Sequence, residues 1–125
     1  MKIGCHCGAL IVDQADDLPH KGHLIPDQEW FATCDAIDGA VIDPVAAGRM
    51  DKEAAYHLAR RIISRSARLM WQCRACGRLY IDGLDGQLRC FVPQGEPADR
   101  EVLRSRPGPA EPGAAADGGR DPGSS

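Results

Sequence analysis

The placement of cysteines constrains this chain more than any other feature. Cys5-His6-Cys7-Gly8 lies at the N-terminus, and Cys73-Arg74-Ala75-Cys76-Gly77 lies well past the middle. A cysteine pair followed by glycine makes a tight turn with two thiolates aimed at one ion, and the glycine lets a backbone NH approach a sulfur without a Cβ in the way. Two such turns supply the four sulfurs of a tetrahedral site, a donor set suited to zinc. The expected ligands are therefore Cys5, Cys7, Cys73 and Cys76. If they share one ion, residues 8–72 become an insertion between two clamped turns. The competing reading is a pair of reduced or redox-active dithiols without metal.

The last part of the chain carries no such pattern. From Pro107 it reads PGPAEPGAAADGGRDPGSS, with no aromatic residue and no apolar period. A segment like that cannot bury enough surface to offset its chain entropy. The expected organisation is one domain over residues 1–93 and a disordered Pro/Gly/Ala-rich tail over 94–125, with 94–106 a charged transition. A folded part so short has a thin core, which a metal commonly supplements.

Local patterns predict the elements between the pairs. Ala9–Val12 and Gly22–Ile25 read as short strands. Pro26 with Asp27 and Glu29 marks a helix start, and Trp30, Phe31, Cys34, Ile37 and Val41 recur at helical spacing, which predicts a helix over 27–38 that stops before Pro44. Asp51 is a candidate N-cap for a second helix over 52–67, with Ala55, Leu58, Ala59 and Ile62 on its apolar face. Leu69–Gln72 reads as a strand. The runs Arg78–Asp82 and Gln87–Val92 flank a turn at Gly83–Gly86 and predict a hairpin. The expected fold class is α+β: a small antiparallel sheet formed by the N-terminal strand and the strands around the second cysteine pair, with two inserted helices packed on it.

The motifs CHCG, CRACG, the strand LYID and the hairpin that follows resemble a zinc ribbon. In zinc ribbons a structural metal is held by four cysteines on two β-turns, and that assigns ligand roles to Cys5, Cys7, Cys73 and Cys76. The layout is similar to small bacterial zinc-ribbon proteins without an established role. Two departures stand out: the first pair is spaced by one residue rather than two, and the insertion is long. The CxxCG-x-x-Tyr run is also similar to rubredoxin, which binds iron, so iron stands as the alternative to zinc.

Other residues offer weaker chemistry. His6 is expected to point outward. His20 and His23 are expected to be exposed loop histidines, the alternative being a second metal site with Asp16 or Asp17. Cys34 is expected in the helix core, and the facing of Cys90 stays open. Trp30, Phe31, Trp71, Tyr80 and Phe91 are expected to be mostly core, with Tyr80, Arg78 and Arg89 the one candidate stacking surface for a nucleic acid. No phosphate-binding loop and no GxSxG motif occurs.

Charge is mildly acidic, at -3, which disfavours binding to nucleic acid by bulk charge. Its distribution is uneven. Acidic residues dominate from Asp13 to Glu53, whereas Arg60, Arg61, Arg65, Arg68, Arg74, Arg78 and Arg89 face only Asp82 and Asp85 in the next stretch. The two halves are expected to attract each other within one fold, an exposed arginine face being the alternative. Met1-Lys2-Ile3-Gly4 leads into the first cysteine pair with no apolar leader, and no run approaches the ~20 apolar residues of a membrane span, so a cytoplasmic protein with no membrane partner is expected. A closed four-sulfur site and the lack of a catalytic set predict a non-enzymatic binding module that acts on another protein, in an adaptor- or immunity-like role. The alternatives are a nucleic-acid-binding ribbon and a thiol-redox or rubredoxin-like electron carrier.

Overall fold

The chain begins as a miniature hairpin. β1 (Lys2–Gly4) and β2 (Leu10–Val12) pair antiparallel, with Ile3 opposite Ile11, and both of those side chains are buried. The connecting turn carries the first cysteine pair. The computed structural model describes residues 1–107; residues 108–125, which hold most of the expected tail, lie outside the described residues.

A second, four-stranded antiparallel sheet has the order β3 (Lys21–Leu24), β4 (Arg68–Gln72), β5 (Leu79–Asp82), β6 (Leu88–Phe91). The fold is α+β, as the element pattern predicts. One expectation is corrected: the N-terminal strand does not join the sheet around the second cysteine pair but forms its own two-stranded sheet with β2. The place beside β4 goes to β3, which follows a turn made by residues 13–20. The two sheets share one core. It is built from Ile3, Cys5, Ile11, Trp71, Cys73 and Tyr80, with Ala9, Leu69, Cys76 and Cys90 packed around it. Trp71 is only 1% exposed. Its indole NH donates to Asp13 Oδ2 at 2.9 Å, so the one polar atom of this large side chain is satisfied inside the core.

The insertion between β3 and β4 is helical. α1 (Asp27–Ile37) passes into a π-helical turn (Asp38–Ile42) and then into a short α2 (Asp43–Ala46). Pro44 was expected to end the helical run near Ile42; instead it sits in the first turn of α2, where its missing NH is tolerated. The widened turn upstream, closed by the Asp43 NH on the Asp38 carbonyl, re-phases the helix around the proline. Gly48 in the left-handed region (φ 75°) then reverses the chain. α3 (Lys52–Ser66) starts at Asp51, whose Oδ1 accepts the Ala54 NH at 2.8 Å.

The helices were expected to lay their apolar faces on the sheet. They pack on each other instead. Val41, Ala55 and Ile62 form a separate core with Ile37, Met50, Leu58 and Ala59, and no sheet residue belongs to it. The Thr33 hydroxyl, 2.8 Å from the Glu29 carbonyl, also donates to Ser66 Oγ at 2.6 Å and links α1 to the end of α3. Trp30 and Phe31, read as core from their spacing, are 48% and 73% exposed, and the smaller Thr33 takes the buried position. The expected attraction between an acidic and a basic half is not made through ion pairs. Lys21–Asp13, Arg89–Asp85 and Arg104–Glu101, the pairs among the described residues, each join near neighbours within one stretch.

Residues 94–107 form no helix or strand but run back beside β4. Gln72, 1% exposed, holds them there: its Nε2 donates to the Asp99 carbonyl at 2.8 Å and to the Gly77 carbonyl at 3.2 Å, and its Oε1 accepts the Val102 NH at 2.9 Å.

Candidate metal centre

Each cysteine pair sits on a turn whose backbone bonds are set by the strand before it. In the first turn the Cys5 NH donates to the Ala9 carbonyl at 2.9 Å and the Gly8 NH to the Cys5 carbonyl at 3.0 Å. In the second, the Cys73 NH donates to the Arg78 carbonyl at 2.9 Å and the Gly77 NH to the Cys73 carbonyl at 2.8 Å. The two turns are thus built alike despite their different spacing. Gly8 and Gly77 close them with φ of 97° and 88°, conformations that L side chains rarely adopt. At Gly77 there is a further demand, because an added Cβ would lie 3.2 Å from the Asp99 carbonyl oxygen.

The four sulfurs converge. All lie within 4.8 Å of one another, and they form the one such cluster of potential metal ligands among the described residues. Cys5 Sγ is 3.6 Å from Cys76 Sγ, and Cys7 Sγ is 3.6 Å from Cys73 Sγ. Both of these close approaches run from one turn to the other. Zn–S bonds of about 2.3 Å in a tetrahedron place sulfurs about 3.8 Å apart, so the donor set matches such an ion in number, chemistry and spacing. All six cysteines are free thiols, and a metal ion can be held by the four in the cluster.

The surroundings favour thiolates unevenly. Burial opposes ionisation of Cys5, but the Cys7 NH, the Tyr80 hydroxyl and the neighbouring thiols outweigh it and bring the group down to about 6. Cys76 is also lowered: burial resists, and the backbone NH and guanidinium of Arg78 prevail, with Arg78 Nη1 3.2 Å from the sulfur. Cys7 accepts a favourable bond from the Ala9 NH, yet the adjacent Cys5, desolvation and the two thiols of the other turn push it up to about 11. In the metal-free cluster the Cys5 and Cys76 thiols therefore ionise more readily than Cys7, which loses its proton against the charge already there. A divalent cation removes that opposition by neutralising the thiolates. Cys5 and Cys73 are buried, Cys76 is half-buried and Cys7 is exposed, so the cluster opens to solvent on the first turn's side.

The chain belongs to the family described as Domain of unknown function (DUF8617), whose model matches residues 1–95. That span contains both turns, both sheets and the helices. No curated protein and no solved structure matches the chain.

The remaining candidates disperse. His6 points outward as expected, with its ring 6.2 Å from that of Tyr80. His20 is not an exposed loop histidine: it is buried, and its Nε2 is 2.8 Å from the Val12 carbonyl oxygen. His23 lies exposed on β3, and neither histidine joins a metal-ligand cluster with Asp16 or Asp17. Cys34 is half-buried on α1, and Cys90 is half-buried on β6 opposite Tyr80. Tyr80, the candidate base-stacking residue, is 4% exposed and serves the first turn, where its hydroxyl accepts the His6 NH at 3.0 Å. Three of the seven arginines are engaged internally: Arg68 with the Asp82 carbonyl, Arg78 with Cys76 and Arg89 with Asp85.

Two supporting residues escape a sequence reading. Asp13 receives the Trp71 indole and Lys21 Nζ, and Lys21 with that indole holds its carboxyl below the usual range. Gln72 is the other. Its one signal is a polar residue in a strand directly before a cysteine ligand position, where an apolar one is ordinary.

Proposed function

We propose that Cys5, Cys7, Cys73 and Cys76 bind one structural zinc ion, and that the chain is a non-enzymatic module that acts through contacts with another protein. The observation that carries the metal reading is that all four sulfurs lie within 4.8 Å of one another, with contacts of 3.6 Å running from one turn to the other. Zinc there would supply charge neutralisation and a clamp between the chain's first residues and the strand at Cys73; it would offer no open position for a substrate, since four sulfurs complete its shell. Iron in the same sulfurs is the rubredoxin-like alternative.

The protein-contact reading is supported by what the cluster and the surface offer. Tyr80 is buried and Arg78 is held at Cys76 Sγ, so these two are not left to stack on bases, while Arg89 is exposed and paired with Asp85. Exposed aromatic side chains occur on the helices, at Trp30, Phe31 and Tyr56, and on β6 at Phe91, which was expected to be core.

Elemental mass spectrometry and thiol counting on protein purified under reducing conditions test the metal. One zinc per chain, with Cys34 and Cys90 as the reactive thiols, is expected. No metal and a full set of six reactive thiols overturns the site, and a coloured iron protein moves the function to electron transfer. Oligonucleotide binding that weakens steeply with salt would replace the protein-contact reading by nucleic-acid binding.

A further inference from the structure

The side chain of Gln72 holds a turn of the chain by its backbone. Its Nε2 donates to the Asp99 carbonyl at 2.8 Å, and its Oε1 accepts the Val102 NH at 2.9 Å. A closed β-turn over residues 99–102 would join that carbonyl to that NH directly. The Gln72 amide lies between them instead and answers both, as a second peptide group would. The turn is also shaped from within, since Asp99 Oδ1 accepts the Glu101 NH at 2.9 Å.

The surface on either side of Gln72 is fitted to this turn. Gly77 leaves room for its start: an added Cβ would lie 3.2 Å from the Asp99 carbonyl oxygen and 3.4 Å from the Ala98 Cβ. Gly22 on β3 does the same at its end, where an added Cβ would lie 3.6 Å from Leu103 Cδ2 and 3.2 Å from Met70 Cγ. Arg100 Nη1 reaches the Ala75 carbonyl at 3.4 Å. The receiving residues all lie inside the span that the family model matches, and the turn lies outside it. From Gln94 to Pro107 only Ala98 and Leu103 are half-buried, and the rest are exposed. A segment held by two small contacts and a few polar bonds opens at little cost. It leaves behind an amide with both ends to satisfy and a niche shaped for a leucine.

We propose that Gln72, Gly77 and Gly22 form a docking site for a turn in a partner protein's chain, and that residues 98–103 hold it shut in cis. The occupant seen there gives the ligand's chemistry: a small residue, then an aspartate that caps the turn, then a leucine four places after the aspartate. This rests on the protein-contact reading and names both the partner's motif and the element that controls access. The tether sets the terms of the competition. A short flexible linker holds its segment at an effective concentration on the order of millimolar. It keeps the site shut only where the intrinsic dissociation constant lies below that value. The same segment offered in trans therefore binds an opened site in the submillimolar range.

A labelled peptide copying residues 96–107, added to the zinc-loaded full chain, tests this. Fluorescence anisotropy reads binding, and hydrogen exchange at the Gln72 side-chain amide reads opening. Leu103→Asp in the chain should release the segment and speed that exchange, and the peptide should then bind and slow it again. The wild-type chain should bind the peptide about ten-fold more weakly, because its own segment competes. Adding Gln72→Leu to Leu103→Asp should cost about ten-fold in affinity, and a peptide carrying the Leu103→Asp change should not bind. A released, folded chain that fails to bind the peptide up to millimolar concentration overturns the site and leaves the protein-contact reading in place. Equal binding to the wild type and to Leu103→Asp overturns it as well, because the peptide then sits elsewhere. Circular dichroism and zinc content report folding. If Leu103→Asp unfolds, Val102→Pro takes its place, since it removes only the NH that Gln72 accepts. If both variants unfold the domain, or neither releases the segment, residues 98–103 are a fixed part of the fold and the docking site is overturned.

Discussion

The cysteine-bearing sheets and the helical unit solve the same problem differently. Both are too small to bury much apolar surface. The sheets close around Trp71 and Cys73, each 1% exposed, and four thiols brought from opposite ends of the segment tie them together. The helices bury only three hydrophobic side chains among the described residues, Val41, Ala55 and Ile62, and leave Trp30, Phe31, Tyr56 and Ile63 about half or more exposed. One region closes on itself within the chain. The other has spent little of its apolar surface on itself. The comparison teaches that the two cores are separate: among the described residues no side chain belongs to both, and the cysteine cluster lies with the sheets.

The largest break in that comparison comes from the clamp. Cys76→Ser should lose the metal and unfold the sheets, since the binding energy of a structural zinc, on the order of 10 kcal/mol, is folding energy for the region that holds it. Cys34→Ser, on the helical side, should keep full metal. Elemental analysis with thermal unfolding of both variants checks this, and full zinc occupancy in Cys76→Ser would contradict the shared site. Next in size, Trp71→Ala should cost about 3–5 kcal/mol, whereas Ile62→Val in the helical core should cost about 1 kcal/mol. Urea unfolding of metal-loaded protein measures both, and equal costs would erase the contrast between a dense and a sparse core. Asp51→Ala removes the cap of α3 and should cost about 1 kcal/mol, with the metal untouched.

The smallest effect is a titration. In the metal-free chain one thiolate should appear with a midpoint of about 6, and another thiol should stay protonated until about 11. Cys5 is lowered from 9.0, so its thiolate stabilises the metal-free fold fully above that value and loses its contribution as pH falls through about 6. Cys7 is raised, and it destabilises the fold as pH climbs past the free-thiol value toward about 11. Ultraviolet thiolate absorbance follows both steps. Tyr80→Phe should move the first one upward, since the hydroxyl beside Cys5 favours the charged form. An unmoved midpoint would remove Tyr80 from the cluster's electrostatics.

What the residues announced and what they hid divide along the same line. The two cysteine–glycine turns, the hairpin at Gly83–Gly86 and both long helices are local signals, written within a few residues of one another, and they appear where their spacing put them. Partnership between distant elements is not local. Ala9–Val12 is recognisable as a strand, but its choice of Lys2–Gly4 over β4 depends on a turn whose closure is set by Cys5 and Ala9. The apolar stripe of α1 is real, yet period alone does not say which part of a stripe is covered. Thr33 turned inward because Ser66 offered it a hydrogen bond, and Trp30 and Phe31 were left outside. The acidic and basic stretches read as internal partners, yet no ion pair among the described residues joins them.

Gln72 carries a consequence for length. Its amide is sealed in the interior, and two of its three bonds go to Asp99 and Val102, beyond the last residue that the family model matches. A chain cut at residue 95 would remove the partners of both an NH and an oxygen of that amide and uncover it, a loss of about 1 kcal/mol for each bond. The residue before the third cysteine thus serves as a ruler. In a relative whose chain stops soon after its last strand, that place suits leucine or valine; glutamine there implies a returning segment to receive it. Gln72→Leu in this chain should free residues 98–103 from the sheet, which amide hydrogen exchange at Val102 would register.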